Sequence, residues 1–441
     1  MTKINLAPPS GTRDFLPQEL LFRRRVLLAA QTVFERHGFL PMDTPAFERL
    51  ETLTGKYGDE GEKLIFKILK RGDKAASGES DLALRYDLTV PTMRVVSHHR
   101  HELPRIFKRY QIGPVWRADR PGKGRFREFY QCDVDIVGAR SALADAEVLL
   151  ALSAVLREVA FPGFVIRLNS RQILRGMLEV YEVPAERQGA TVVALDKLDK
   201  IGVEGLKNEL ATIGLVQTVV DRLHGDIAGS DFAAQLRQRL ETSATGRAGL
   251  AEVEAIRDAV GPELANGTIE FEPLLARGMD YYTGPIFEFY ATEFRSAIAG
   301  GGRYDGLTSM FGRQAEPVCG GSLGIERIIM LLQGDAALPA PAGPLAYVTV
   351  WSDEQRPAAF KLVAAIRARG ISAEINLVDG GIGQQLKIAS ERRCRFAVIQ
   401  GPDEAAAGTV QIKDMDAGSQ TSAPVADAPA ALERLAQGAE G

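Results

Sequence analysis

The segment "LARGMDYYTGPIFEFY", residues 275–290, sets Arg277 among apolar and aromatic side chains, with Asp280, Tyr281 and Tyr282 just downstream. A guanidinium in a stretch that otherwise looks ready for burial has two readings. It is a structural ion pair with Asp280 or Glu288, or it is a fixed cation placed for an anion. The choice rests on what the remainder of the chain supplies.

Several other stretches carry polar groups at spacings that chemistry could use. In "LALRYDLTVP", residues 82–91, alternation predicts a strand with Leu84, Tyr86, Leu88 and Val90 on one face and Arg85, Asp87 and Thr89 on the other. "RFREFYQCDVDIVG", residues 125–138, splits the same way, with Arg127, Phe129, Gln131, Asp133 and Asp135 together. Such faces either line a polar pocket or meet solvent, and periodicity alone does not separate the two. Between Trp116 and Phe129 runs "RADRPGKGRFRE", basic residues around Pro121, Gly122 and Gly124. A Gly/Pro-broken basic hairpin sets cations against phosphates. A solvated hairpin tip explains the loop charges equally well, but not Arg117 beside Trp116.

In "GGSLGIERIIMLL", residues 320–332, Glu326 and Arg327 open an apolar helix. A buried arginine is costly without a partner, which would be Glu326 or a phosphate. "AGGGRYDGL", residues 299–307, reads as a glycine-rich turn carrying Arg303, Tyr304 and Asp305, with spacing wrong for a dinucleotide fingerprint. No G-x-x-x-x-G-K-[ST] loop occurs, so a nucleotide here is not held by a P-loop. His98, His99 and His101 have no cysteine or second histidine cluster nearby and read as surface residues, so no metal site is expected.

These residues need elements to hold them. "ELLFRRRVLLAAQTVFERHGF" predicts a helix stopped by Gly38, followed by strands at longer spacings. Residues 184–261 turn helical and charged, as an inserted module would, and most of that charge reads as solvated surface. "GDAALPAPAGP", residues 334–344, reads as a linker. Beyond it strands alternate with helices, among them "RPAAFKLVAAIRARG" with Leu362, Val363 and Ile366 inward, which predicts a small α/β domain. The expected organisation is a domain over 1–335 that includes the 184–261 module, a linker over 336–344 and an α/β domain over 345–441.

The 441 residues allow two or three domains and a large core. A 45% hydrophobic and 25% charged composition is that of ordinary soluble proteins. No apolar stretch reaches the ~18 residues of a membrane span, and the first residues lack the apolar centre of a signal peptide. Cys132, Cys319 and Cys394 are few and scattered, which suits reduced thiols in the cytoplasm. A net charge of −4 argues against a general polycation, so nucleic-acid contacts would come from local basic patches.

Taken in order, the pieces resemble the histidyl-tRNA synthetases, a family of class II aminoacyl-tRNA synthetases, over nearly the whole chain. "GTRDFLP" at Gly11 is similar to the family's opening signature, and "GFLPMDTPAFE", which reaches Pro45, resembles the dimer-forming motif 1. Residues 117–135 resemble motif 2 and "GGSLGIER" motif 3, while "ARGMDYYTGPIFE" and "AGGGRYDGL" resemble the two histidine-specific signatures. The C-terminal unit, with "AAGTVQIKDM", resembles the anticodon-binding domain.

The resemblance implies an α+β catalytic domain, an antiparallel sheet flanked by helices, with a helical insertion and a C-terminal α/β anticodon-binding domain. It implies a cytoplasmic homodimer that takes ATP with Mg2+, L-histidine and the histidine tRNA, and no membrane. On the opening question it implies an anion: Arg117 and Arg277 would meet the α-phosphate from two sides, with Arg277 also at the histidine. Arg327 would hold ATP and Phe129 would stack on adenine. Asp87, Thr89 and Gln131 match the binders of the α-ammonium group, and Asp135, Tyr281, Tyr282 and Tyr304 match the imidazole pocket. A neutral imidazole offers one donor and one acceptor, which an acid and a phenol satisfy. Lys123 and Arg125 would touch the tRNA acceptor end, mainly at phosphates. Histidine tRNAs usually carry an extra 5′ guanosine, and bacterial members of the family commonly have glutamine where this chain has Gly122, so that base has no side chain to read it here.

Two other readings share the motifs: the synthetase-like regulatory subunit of ATP phosphoribosyltransferase, and a catalytically inactive histidine or tRNA sensor. The first generally lacks the anticodon domain and departs from the histidine signatures. The second would sit within a larger protein.

Overall fold

In the computed structural model, the structure describes residues 4–276, 281–292, 294, 296–312, 314–334 and 343–437. Arg277 and most of the expected linker lie outside the described residues. The chain divides into two compact units, Met1–Leu338 and Pro339–Gly441.

The first unit opens with the helix Pro17–Arg36, which begins at a proline suited to a first turn and ends before Gly38 at φ +75°. Val26, Ala30, Val33 and Phe34 recur at helical spacing and are its buried face. Strands β1 (Leu40–Pro41), β2 (Phe47–Arg49), β3 (Lys67–Leu69) and β4 (Ser80–Leu84) follow. The helix Thr89–His99 leads to the long hairpin of β5 (Phe107–Trp116) and β6 (Glu128–Val137). After the helix Ala142–Glu158 come β7 (Phe164–Ser170), a run of helices, and β8 (Gly267–Phe271), β9 (Pro285–Ala291), β10 (Ala297–Arg303) and β11 (Val318–Gly324). The helix Ile325–Gln333 completes the unit.

Eight of these strands form one sheet in the order β1-β5-β6-β11-β10-β9-β7-β8, and β2-β4-β3 form a small second sheet. The large sheet is antiparallel at its centre, with a parallel pair at each edge, β1 with β5 and β7 with β8. Its buried face carries Val134, Ile166, Phe289 and Ile298 against Leu149 and Leu152 of the helix Ala142–Glu158. Five helices, from Ala185–Asp196 to Ala244–Val260, fill residues 185–260. Their apolar residues, Leu206, Leu236 and Ile256 among them, join the same core as the sheet.

Two expectations are corrected here. Residues 82–91 are not one strand: β4 ends at Leu84 and Thr89 already starts a helix. Pro91 explains the change, since proline is well suited to a helix's first turn and removes a strand donor. The glycine run at 300–302 is not in a turn but in the strand β10, packed between β9 and β11. Side chains there would collide with the neighbouring strands, as the surroundings of Gly301 show, where a Cβ would overlap the Gly320 carbonyl and Gly321.

In the second unit β12 (Ala346–Val348), β13 (Ala373–Ile375), β14 (Phe396–Ile399), β15 (Thr409–Asp414) and β16 (Gln420–Pro424) form a sheet in the order β13-β12-β14-β15-β16. The helix Arg356–Ala368 buries Leu362, Val363 and Ile366 as the periodicity predicts, and Gly370 follows it at φ +77°. Strand β16 and the final helix Ala428–Gln437 were not read from the sequence. The strand "QTSAP" has no apolar alternation to mark it.

Candidate active site

The β5–β6 hairpin and β11 build one continuous polar face. Register places Arg109, Gln111 and Gly113 of β5 opposite Asp135, Asp133 and Gln131 of β6, and these lie opposite Gly320, Ser322 and Gly324 of β11. Alternate residues share a face, so the carboxylates, amides and hydroxyl stand in rows across three strands. Of the two readings, the pocket is correct: Asp87, Asp133 and Asp135 are all buried.

Asp135 is held from two sides. Arg109, 0% exposed, forms an ion pair with its Oδ2, and the Tyr304 hydroxyl donates to its Oδ1. Gly320 is required beneath them, because a Cβ there would overlap both Asp135 Oδ1 and Tyr304 Oη. The rings of Tyr281, Tyr282 and Tyr304 pack edge-on at 5.1–6.0 Å and wall this end of the face. Burial pushes the Asp135 carboxyl up to about 6, with Arg109 opposing.

Asp87 sits in the bend after β4. Its Oδ1 accepts from the Tyr57 hydroxyl at 3.0 Å and from the Val90 N–H at 3.1 Å, so it caps the helix that Thr89 begins. The predicted company of Asp87 and Thr89 therefore holds, but through a helix start and not through strand alternation. Thr89 is hydrogen-bonded to Tyr281. Gln131 donates to Ser322 Oγ at 3.1 Å.

A second cluster, of cations, lies along the hairpin. The Arg117 guanidinium stacks between Tyr86 and Phe129, 4.3 and 5.1 Å from their centroids, and its Nε donates to the Tyr86 carbonyl at 3.1 Å. Arg327 donates to the Ala297 carbonyl, and its pKa is lowered by burial and then by the charges of Arg125 and Arg117. Three guanidiniums that repel one another form a place where an anion is stabilised. Lys123 is exposed at the loop, while Arg125 is paired with Asp119 at 2.7 Å.

Glu326 is not the partner of Arg327. It binds Arg13 and the buried Arg23, and it accepts the Tyr130 N–H at 3.1 Å. Arg13 also stacks on Phe126, 3.9 Å away, and the Gly11 carbonyl accepts the Arg127 N–H at 2.7 Å. The "GTRDFLP" segment thus braces the base of the basic hairpin. Sequence reasoning assigned no role to Arg109, Tyr57 or Asp133. Only Asp133 left a signal, its shared alternation with Gln131 and Asp135.

A central antiparallel sheet with a cationic hairpin and no P-loop, in a chain that also carries a second α/β unit, defines a class II aminoacyl-tRNA synthetase. A family model described as histidyl-tRNA synthetase matches residues 11–328, and one described as an anticodon binding domain matches 345–435. A curated histidine–tRNA ligase of Christiangramia forsetii is 39% identical over 439 residues, covering 94% of this chain and 96% of the relative. The histidyl-tRNA synthetase of Nostoc sp. PCC 7120 superposes with a TM-score of 0.80 at 30% identity, covering 98% of this chain and 100% of that one. An ATP phosphoribosyltransferase regulatory subunit/histidyl-tRNA synthetase from Bacillus halodurans shares the fold, with a TM-score of 0.72 at 21% identity. The chain belongs to the histidyl-tRNA synthetase family.

Proposed function

We propose that this chain is a histidine–tRNA ligase whose reaction runs across the face described above. A carboxylate oxygen of histidine attacks the α-phosphorus of ATP, and the bond to the departing pyrophosphate breaks. A ribose hydroxyl at the tRNA 3′ end then attacks the acyl carbon of the adenylate and releases AMP. Neither step needs a protein nucleophile, so the protein orients the reactants and stabilises charge at phosphorus.

The observation that carries this reading is the adjacency of two opposite fields on one face. Buried carboxylates suit the cationic and N–H groups of the amino acid, and Arg117 and Arg327 suit the triphosphate. Asp87, Thr89 and Gln131 take the α-ammonium. Asp135 accepts from one imidazole nitrogen while a tyrosine of the 281, 282 and 304 group donates to the other. Phe129 offers its remaining ring face to adenine, and Arg277 would join Arg117 at the α-phosphate. Lys123 and Arg125 would touch the acceptor end of the tRNA, mainly at phosphates.

Among the described residues no group of three or more His, Cys, Asp or Glu side chains is arranged to hold a metal. The donor set fits magnesium carried on the triphosphate, where phosphate oxygens and water supply its ligands and the ion neutralises phosphate charge. A homodimer is supported by the apolar groove of about 710 Å³ between the first helix and β1–β5, lined by Leu27, Leu28, Met42 and Ile112. No described helix is long and apolar enough to cross a membrane, and a cytoplasmic site of action goes with a tRNA substrate.

In the C-terminal unit, a groove of about 440 Å³ runs past Trp351, Arg356, Phe360 and Leu377. Trp351 and Phe360 are 50% and 52% exposed. Exposed aromatic faces beside an arginine suit unstacked bases of an anticodon.

ATP–pyrophosphate exchange measured across the amino acids tests the proposal. Exchange that depends on histidine alone is expected. Absence of exchange with every amino acid would remove it in favour of the regulatory or sensor readings, and exchange that depends on another amino acid would remove the histidine assignment.

A further inference from the structure

The buried carboxylates are not all accounted for by the roles above. Asp135 is engaged by Arg109 and Tyr304, and Asp87 Oδ1 by Tyr57 and Val90. Asp133, next on the same face, is 2% exposed, and its Oδ1 has no hydrogen-bond partner among the described residues. Two further buried acceptors near it share this condition, Asp87 Oδ2 and Gln131 Oε1.

Of the charged and amide neighbours of Asp133, Arg109 is ion-paired to Asp135 and keeps Nε and Nη1 without a hydrogen-bond partner, and the donors of the others go elsewhere. Gln111, directly across on β5, gives its amide N–H groups to Asp43 at 2.7 Å and Thr44 at 3.1 Å, and its own Oε1 is a further buried acceptor without a donor. Arg85 is spent on the carbonyls of Pro114 and Thr44. Among the described residues, Ser322, across on β11, is the hydrogen-bonding side chain that supports the Asp133 carboxylate. A buried acceptor without a donor costs free energy, and the cost is recovered when a ligand brings the donor.

We propose that Asp133 joins Asp87, Thr89 and Gln131 in binding the α-ammonium group of the amino-acid substrate, through its buried Oδ1, which has no donor. An ammonium has three N–H donors and no acceptor, so it brings the type of group that Asp133 Oδ1, Asp87 Oδ2 and Gln131 Oε1 lack. Charge balance points the same way. Three buried acids, Asp87, Asp133 and Asp135, face one fully buried arginine, which is already paired to Asp135. A cation delivered by the ligand offsets one of the remaining carboxylates, and that contact is a charge-assisted hydrogen bond in a dry site. The field of Asp133 reaches Asp87, Asp135, Arg109, Arg85, Cys132, Tyr281 and Tyr282, and burial raises its carboxyl to about 7. Binding of an ammonium favours its ionised form.

The assignment rests on the histidine reading of the site, and the test separates the two. Competition in the ATP–pyrophosphate exchange assay is measured for L-histidine and for 3-(imidazol-4-yl)propionate, which lacks only the amine. In the wild type, histidine-dependent exchange establishes the underlying reading, and its absence overturns both. Asp133→Asn should weaken histidine by about ten- to a hundredfold, the range of one hydrogen bond to a charged group. It should leave the deaminated compound within about twofold. Retained binding of that compound also reports that the variant is folded, and Asp133→Ser gives the same readout if the asparagine disturbs the strand. Equal weakening of the two ligands, or of neither, makes Asp133 a structural residue and overturns the proposal.

Discussion

The two units differ in where they bury charge. In the C-terminal unit the core is apolar, and its one fully buried amide, Gln385, is satisfied by the carbonyls of Val350 and Gly380 and by the Val350 N–H. Its charges pair at the surface, as Arg392 does with Glu374 and Arg395 with Asp414. The first unit buries Arg109, Asp133 and Asp135 on its central strands and Asp87 in the bend after β4, and leaves acceptors at Asp87, Gln131 and Asp133 unmet. A unit that reads bases needs exposed aromatic faces and a stable frame. A unit that does chemistry keeps part of its interior incomplete until substrates arrive, at a cost in stability.

The contrast breaks most sharply at the phosphate cluster. Arg117→Ala should lower adenylate formation by about a thousandfold, because it removes a fixed donor from developing charge at phosphorus. Pyrophosphate exchange measures it, and near-normal exchange would return the hairpin to a solvated tip. Next in size is the separation of the units. A chain ending at Gln333 should keep histidine-dependent exchange while its charging of tRNA falls by about a hundredfold or more, as phosphate and base contacts are lost. Equal charging by short and full-length chains would detach the C-terminal unit from tRNA binding.

Trp351→Ala sharpens the same point, with charging reduced by about ten- to a hundredfold at limiting tRNA if one base stacks there. Exchange should be unchanged, and a variant that lowers both would mark Trp351 as structural.

Stability should respond to the buried acids in a signed way. Asp133 keeps its proton to about pH 7 in the folded chain, whereas an unfolded aspartate loses it near pH ~4. Between these values the folded state binds more protons, so this group's contribution to stability falls as pH rises from about 4 to about 7 and is flat above. Asp133→Asn should thus melt a few degrees above wild type at pH 8, and the gap should close toward pH 4. Melting curves across that range decide it, and a gap that widens on acidification would contradict the burial argument.

The smallest effect expected is at the hairpin tip. Gly122 has no side chain, and its N–H is bonded to the Arg125 carbonyl at 3.0 Å. Removing a 5′-terminal extra guanosine from the cognate tRNA should change charging less than tenfold, the low end of one base contact being about 1 kcal/mol. A hundredfold loss would show that another group reads that base.

Much of the site was legible in the chain. The alternation of residues 125–138 put Gln131, Asp133 and Asp135 on one face, and the Gly/Pro-broken basic run marked the hairpin. The roles of Arg109 and Tyr57 were not legible, because each acts on a partner 26 or 30 residues away in sequence across a strand pair or a bend. The partners of Glu326 were not legible for the same reason. Its neighbour in sequence, Arg327, is one residue along a helix and so faces elsewhere, while Arg13 and Arg23 arrive from some 300 residues upstream.

What the amino-acid sequence by itself determined was local: the period of the helices, the breaks at glycine and proline, the kinds of group on each strand face. The tertiary structure alone decided which of those groups are charged, paired or left waiting. Strand register set Arg109 opposite Asp135 and Gln111 opposite Asp133, and the close approach of β11 at Gly320 made room for Asp135 and Tyr304 to meet. Hydrogen bonds and ion pairs act over a few ångströms in space, whatever the distance along the chain, and so the chemistry of this pocket exists only once the sheet has formed.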